Sequence, residues 1–132
     1  VKKVYYAAHA YMIVGVISGL VYRELTKWYD FTGDTQLGVV HTHLLALGML
    51  FHLIVLALAK VFDLGGRLFD WFFWVYNAGL ALTVAVMTVH GVQTVVGADT
   101  SVVISGIAGL GHIVLTVGLI LFFVGLGKRV PS

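Results

Sequence analysis

Four long apolar stretches separated by short polar breaks constrain this chain more than any other feature. A helix crosses the hydrocarbon core of a bilayer with about 20 apolar residues, and the stretches 4–25, 37–61, 69–95 and 101–127 each reach that length. The breaks are well marked. Residues 27–34 are polar and contain Gly33, residues 63–67 contain Gly65 and Gly66, and residues 97–100 form a short turn. Pro131, the sole proline, follows the last stretch. Of the 132 residues, 60% are hydrophobic and 11% are charged, with a mean hydropathy of +1.00, more apolar surface than a soluble core of this size encloses. The expected fold is all-α: an integral membrane four-helix bundle, multi-pass, forming one domain over residues 1–132. The first stretch runs on past the length of a signal-peptide core and reads as a mature span.

Charge distribution gives an orientation. Lys2, Lys3, Lys60, Arg67, Lys128 and Arg129 fall on the side of both termini, whereas only Arg23 and Lys27 fall on the other, beside Glu24, Asp30 and Asp34. The positive-inside rule then predicts cytoplasmic termini, in the inner (plasma) membrane of the cell. A formal charge of +2, clustered at span ends, argues against a nucleic-acid partner. The absence of cysteine excludes disulfides, thiolate metal sites and iron–sulfur clusters. Gly15 and Gly19 in the first span, and Gly111, Gly118 and Gly125 at seven-residue intervals in the fourth, predict close helix packing inside the chain, with an oligomer seam as the alternative.

The chemistry lies in the six histidines. His41 and His43 open the second span in the run His41-Thr42-His43-Leu44-Leu45-Ala46-Leu47-Gly48-Met49-Leu50-Phe51-His52. Two positions turn a helix through about 200°, so the two rings point to nearly opposite flanks and serve two sites rather than one. Ionisable groups inside a span are functional candidates by default. His41, His43 and His90 are expected in an outer layer, with His52 about 14 Å deeper than His43 and level with His112. His9 is expected near the inner end of the first span. The alternative for each is a hydrogen bond to a backbone carbonyl and nothing more, and it is the favoured reading for His9. His52 and His112 read as a second ligand pair, a proton relay or hydrogen-bond glue. Gly91 is expected to leave room beside His90 for a flat ligand.

Neutral imidazole ligates haem iron, copper and zinc. Every Asp and Glu lies at or beyond a span end, so no carboxylate stands deep in a span to serve a hydrolytic zinc site. Copper has Met49 and Met87 within reach of the histidines, but no methionine-rich cluster. Haem fits best, because it needs axial histidines, apolar walls and polar groups at one edge. Arg23, Lys27, Trp28, Tyr29 and Gln36 are the candidates for that edge.

The run from His41 to Phe51 resembles the tenth transmembrane helix of the catalytic subunit of haem–copper oxidases. In that family the first histidine of a His-x-His pair ligates the active-site haem and the second ligates the low-spin haem, on opposite flanks. The family's twelve spans form three arcs of four with approximate threefold symmetry, so the resemblance implies that this chain is equivalent to one arc. It also departs from the family: there is no adjacent His-His pair, no His-Pro-Glu-Val-Tyr motif, Leu45 stands four residues after His41, and the turn after Gln93 lacks paired arginines. What remains implied is a haem site without the copper centre.

One arc cannot close on itself, whereas three copies in cyclic symmetry can. The expectation is a homotrimer in the bilayer, with haem b held between His41 of one copy and His43 of the next. Two axial imidazoles imply one-electron transfer with a quinol or a membrane redox protein, and leave any catalytic turnover open. Three alternatives remain: pairing of His41 or His43 with His90 inside one chain, a site that binds a diatomic gas such as O2 or NO, and a copper or other metal-ion binding or transport protein.

Overall fold

The computed structural model describes residues 1–132. It consists of four helices, each long and apolar enough to cross a membrane: α1 (Lys2–Trp28), α2 (Leu37–Phe62), α3 (Gly66–Val96) and α4 (Val102–Gly127). The helices outrun several of the apolar stretches, because backbone hydrogen bonding continues into the polar ends where hydropathy falls: α1 takes in Lys2 and Trp28, and α3 begins at Gly66.

Three helices stop in the same way. Asp30, Asp63 and Gly97 adopt left-handed backbone (φ 49°, 51° and 78°). The next N–H then turns back to the carbonyl five residues earlier: Phe31 to Thr26 (2.9 Å), Leu64 to Ala59 (3.0 Å) and Ala98 to Gln93 (2.9 Å). Such caps satisfy carbonyls that a helix end leaves orphaned. At the start of α4, the Ser101 hydroxyl accepts the Val103 N–H at 3.1 Å.

α2 is not uniform. It is α-helical over Leu37–His43, π-helical over Leu44–Leu50 and α-helical again over Phe51–Phe62. The wider turn begins directly after His43.

Sequence order is also spatial order. α1 packs on α2, the first turns of α2 pack on α3, and α3 packs along its length on α4, while α1 and α4 do not pack on each other. Glycines set the approach. A Cβ on Gly79 would lie 2.8 Å from Leu115 Cα, and one on Gly118 would lie 2.7 Å from Tyr76 Cα, so α3 and α4 touch backbone to backbone. The core of this half holds Phe72, Tyr76, Leu80, Leu115 and Phe122, with Val4 and Val55 reaching in from α1 and α2. Lys3 pairs with Asp70, and Tyr11 donates to Asn77 Oδ1 at 2.6 Å, tying α1 to α3. Only 25 of 132 residues are buried, so most of the apolar surface has to be covered by lipid or by other chains.

Candidate cofactor site on the second helix

The first two turns of α2 are held on one side by α3 and on the other by α1. Leu37, Val40 and Leu44 pack with Met87 and Val95 of α3. That fixes the rotation of the helix and sends His41 and His43 to different flanks. His41 lies against Gly19 of α1, whose added Cβ would sit 3.6 Å from His41 Cβ, and its ring stacks on Tyr22 (centroids 6.4 Å apart, 17° between planes). His43 stands on the flank that also carries Val39, one turn away, and its Nδ1 lies 2.9 Å from the Val39 carbonyl oxygen.

Hydrogen bonding separates the two rings further. A carbonyl only accepts, so Nδ1 of His43 carries the proton and Nε2 keeps a free lone pair. Ligating histidines adopt this state, because the second hydrogen bond fixes both tautomer and ring orientation. His41 has no such support. Its Nδ1 is buried without a partner. In both residues Nε2 is neither bonded nor shut away and opens at the surface of the chain.

His90 sits on α3 with Nδ1 buried and unpartnered, lining a shallow cleft with Asp34, Gln36, Val39 and Thr94. The room expected beside it is taken. A Cβ on Gly91 would lie 2.8 Å from Leu37 Cα, so α2 and α3 are in direct contact there. This corrects the reading of Gly91: the space beside it holds Leu37.

His52 and His112 are set apart rather than paired. His52 is fully buried, stacked on Tyr11 at 5.3 Å and edged by Tyr76 and Phe73. His112 is exposed on the outer face of α4, with Nδ1 2.8 Å from Ala108 O. It shares the ligand-ready state of His43 but has no second imidazole near it on its own helix. His9 is exposed beside Tyr5 and lines a groove with Met12 and Met49. Arg23 and Trp28 lie toward the end of α1 and are largely exposed, the Arg23 side chain 74% and Trp28 85%. No group of three or more His, Cys, Asp or Glu side chains converges on a common point.

The family described as "Protein of unknown function (DUF2871)" matches residues 1–129. The chain belongs to this family. No curated protein matches it, and no solved structure does.

The structure also assembles a polar cluster around His52. Nδ1 of His52 lies 2.5 Å from Gly48 O, the Tyr76 hydroxyl donates to Leu47 O at 2.6 Å, Tyr11 donates to Asn77 Oδ1, and Asn77 Nδ2 donates to Phe73 O at 2.7 Å. Both carbonyls of α2 in this set belong to the π-helical turn. Such turns recur at functional sites. Sequence reasoning missed Tyr11, Tyr76 and Asn77; the usable signal was Asn77, a neutral amide in mid-span that has to find partners there.

Proposed function

We propose that this protein is a membrane b-type haem protein whose iron is held between two copies of the chain, by His41 of one and His43 of the next. The observation that carries the reading is the disposition of those imidazoles: two residues apart, on opposite flanks of α2, each with Nε2 open at the chain surface. His43 is the better-prepared ligand, with its proton committed to Val39 O. His41 is positioned by the Gly19 hollow and the Tyr22 ring. The contact between Leu37 and Gly91 favours a shared site over one inside a single chain.

A haem with two imidazole ligands supplies one-electron transfer and offers no open position to a gas. The chain would contribute ligation, an apolar wall and exclusion of water, and Arg23 and Trp28, exposed on one copy, would meet cofactor or neighbour in the assembly. A homotrimer is the assembly proposed, since α1 and α4 do not pack on each other and both are free to meet further copies. The basic residues beside the termini support cytoplasmic termini in the inner membrane, with a quinol or a membrane redox protein as electron partner. The resemblance of the His41–Phe51 run to the tenth helix of haem–copper oxidases supports the same scheme.

The test is purification from haem-replete cells. The expected preparation is red, with a b-type spectrum on reduction and no change when carbon monoxide is added. Colourless protein from such cells contradicts the reading, and a carbon monoxide shift replaces electron transfer with gas binding. A second reading, a copper-binding membrane protein, is favoured by one observation: His9, Met12 and Met49 share the groove between α1 and α2, and imidazole with thioether is a donor set for Cu(I). Stoichiometric copper in haem-free protein, lost in Met12→Leu/Met49→Leu, would select it.

A further inference from the structure

The end of the molecule that carries the start of α1 and the end of α4 holds a cavity the haem reading leaves unused. It opens between α3 and α4 and has a volume of about 220 Å³. Its apolar wall includes Phe69, Phe72 and Phe122, and its rim is made by Arg67, Lys128 and Arg129. The cause is a change along the α3–α4 seam. At Gly118 the backbones touch, whereas at Gly125 an added Cβ would still be 3.5 Å from the Leu68 side chain, and nothing lies within 4 Å of the position where Gly65 would carry one. The helices close tightly at depth and leave a slot near the membrane surface.

The charge at that slot is one-sided. No carboxylate lines it. Asp70 is engaged by Lys3, and Asp63 comes only within 4.0 Å of Arg129 from a fully exposed position, where solvent screens it. Three cations therefore edge an apolar slot at the depth where headgroups meet acyl chains. Basic pockets between spans at this level recognise anionic headgroups. An inorganic anion has no use for the aromatic wall, and a zwitterionic lipid brings its own cation to a rim that is already positive. The occupant that matches both parts is a single amphiphile with an anionic phosphate and a hydrocarbon chain.

We propose that this slot binds an anionic phospholipid, its phosphate drawn to Arg67, Lys128 and Arg129 and the first part of an acyl chain lying along Phe69, Phe72 and Phe122. The site does not depend on haem and is tested apart from it. The full chain, purified in detergent and stripped of lipid, is titrated with phosphatidylglycerol, phosphatidylcholine or sn-glycerol 3-phosphate and followed by native mass spectrometry and thermal unfolding. Phosphatidylglycerol is expected to bind in preference to phosphatidylcholine and to raise the unfolding temperature, while glycerol phosphate does neither. Each of Arg67→Gln, Lys128→Gln and Arg129→Gln should weaken retention about fivefold. Gly125→Phe, which fills the slot and keeps all three cations, should abolish the preference; it also serves if the charge variants insert poorly. Equal binding of the two lipids, protection by glycerol phosphate alone, or an undiminished preference in Gly125→Phe would overturn the proposal.

Discussion

The α3–α4 seam and the α1–α2 seam both use small residues to bring helices together, yet they differ in what fills the hollows. Between α3 and α4 the hollow at Gly79 receives the Leu115 backbone, and that at Gly118 receives Tyr76 Cα. Between α1 and α2 the hollows receive side chains: Leu45 at Gly15, His41 at Gly19 and the Tyr11 ring at Gly48. Backbone contact at these two glycines leaves no slack and no place for a cofactor beside them. Side chains in hollows can turn, and three of the rings along or beside this seam are His41, Tyr11 and His52, next to the only π-helical turn. One half of the molecule is a clasp, and the other holds the histidines proposed to ligate haem.

The sharpest way to break that comparison is to put a side chain into the clasp. Gly118→Leu drives the new side chain into the α3 backbone, which cannot yield, at a cost of about 3 kcal/mol or more. Fluorescence-detected gel filtration should show loss of the folded species, whereas Gly106→Leu and Gly109→Leu, where nothing lies within 4 Å of an added Cβ, should elute as the parent does. Equal tolerance at all three glycines would erase the distinction between the seams.

The next effect falls on the half proposed to hold haem. His43→Ala and His41→Ala should each reduce bound haem, measured by pyridine haemochrome, to background while the protein still folds. His112→Ala should keep its full complement, because its ring stands alone on the outer face of α4. Full haem in both α2 variants would defeat shared ligation.

A smaller effect sharpens the role of the π-helical turn. In Gly48→Ala the new methyl group would lie 2.6 Å from Tyr11 Cβ, forcing α1 away from α2 and the Gly19 hollow away from His41. The expected cost is about 1–3 kcal/mol with lowered haem retention, and Tyr11→Leu in the same chain should recover part of both. The smallest effect is that of Tyr11→Phe, which removes the hydrogen bond to Asn77; thermal unfolding should register a loss of about 0.6 kcal/mol.

Much of the fold could be read from the sequence, because hydropathy and length suffice to place four spans, and the polar breaks at 27–34, 63–67 and 97–100 mark the turns. Helix ends were less legible, since left-handed caps at Asp30 and Asp63 depend on local hydrogen bonding rather than on apolarity. The glycine repeat at 111, 118 and 125 signalled close packing, but spacing alone did not distinguish the backbone contact at Gly118 from the open slot at Gly125. The flanks of His41 and His43 follow from helix geometry, because both precede the π-helical turn. The separation of His52 from His112 did not follow from depth, which says nothing about the direction a ring faces. Gly91 misled for the same reason: a missing side chain marks a close approach, and here the visitor is Leu37 rather than a ligand. The cluster of Tyr11, Asn77, Tyr76 and His52 was hidden because it draws on three helices and on carbonyls whose exposure depends on the wider turn.

The most direct measurement mixes two defective chains. His41→Ala and His43→Ala protomers, carrying different affinity tags, are co-expressed and the doubly tagged assemblies isolated. If iron is held between neighbours, interfaces that pair the intact His41 of one chain with the intact His43 of the other regain haem, and the b-type spectrum returns at a fraction of its full strength. Doubly tagged assemblies that stay colourless, or single variants that keep haem unaided, would contradict a ligand set divided between copies.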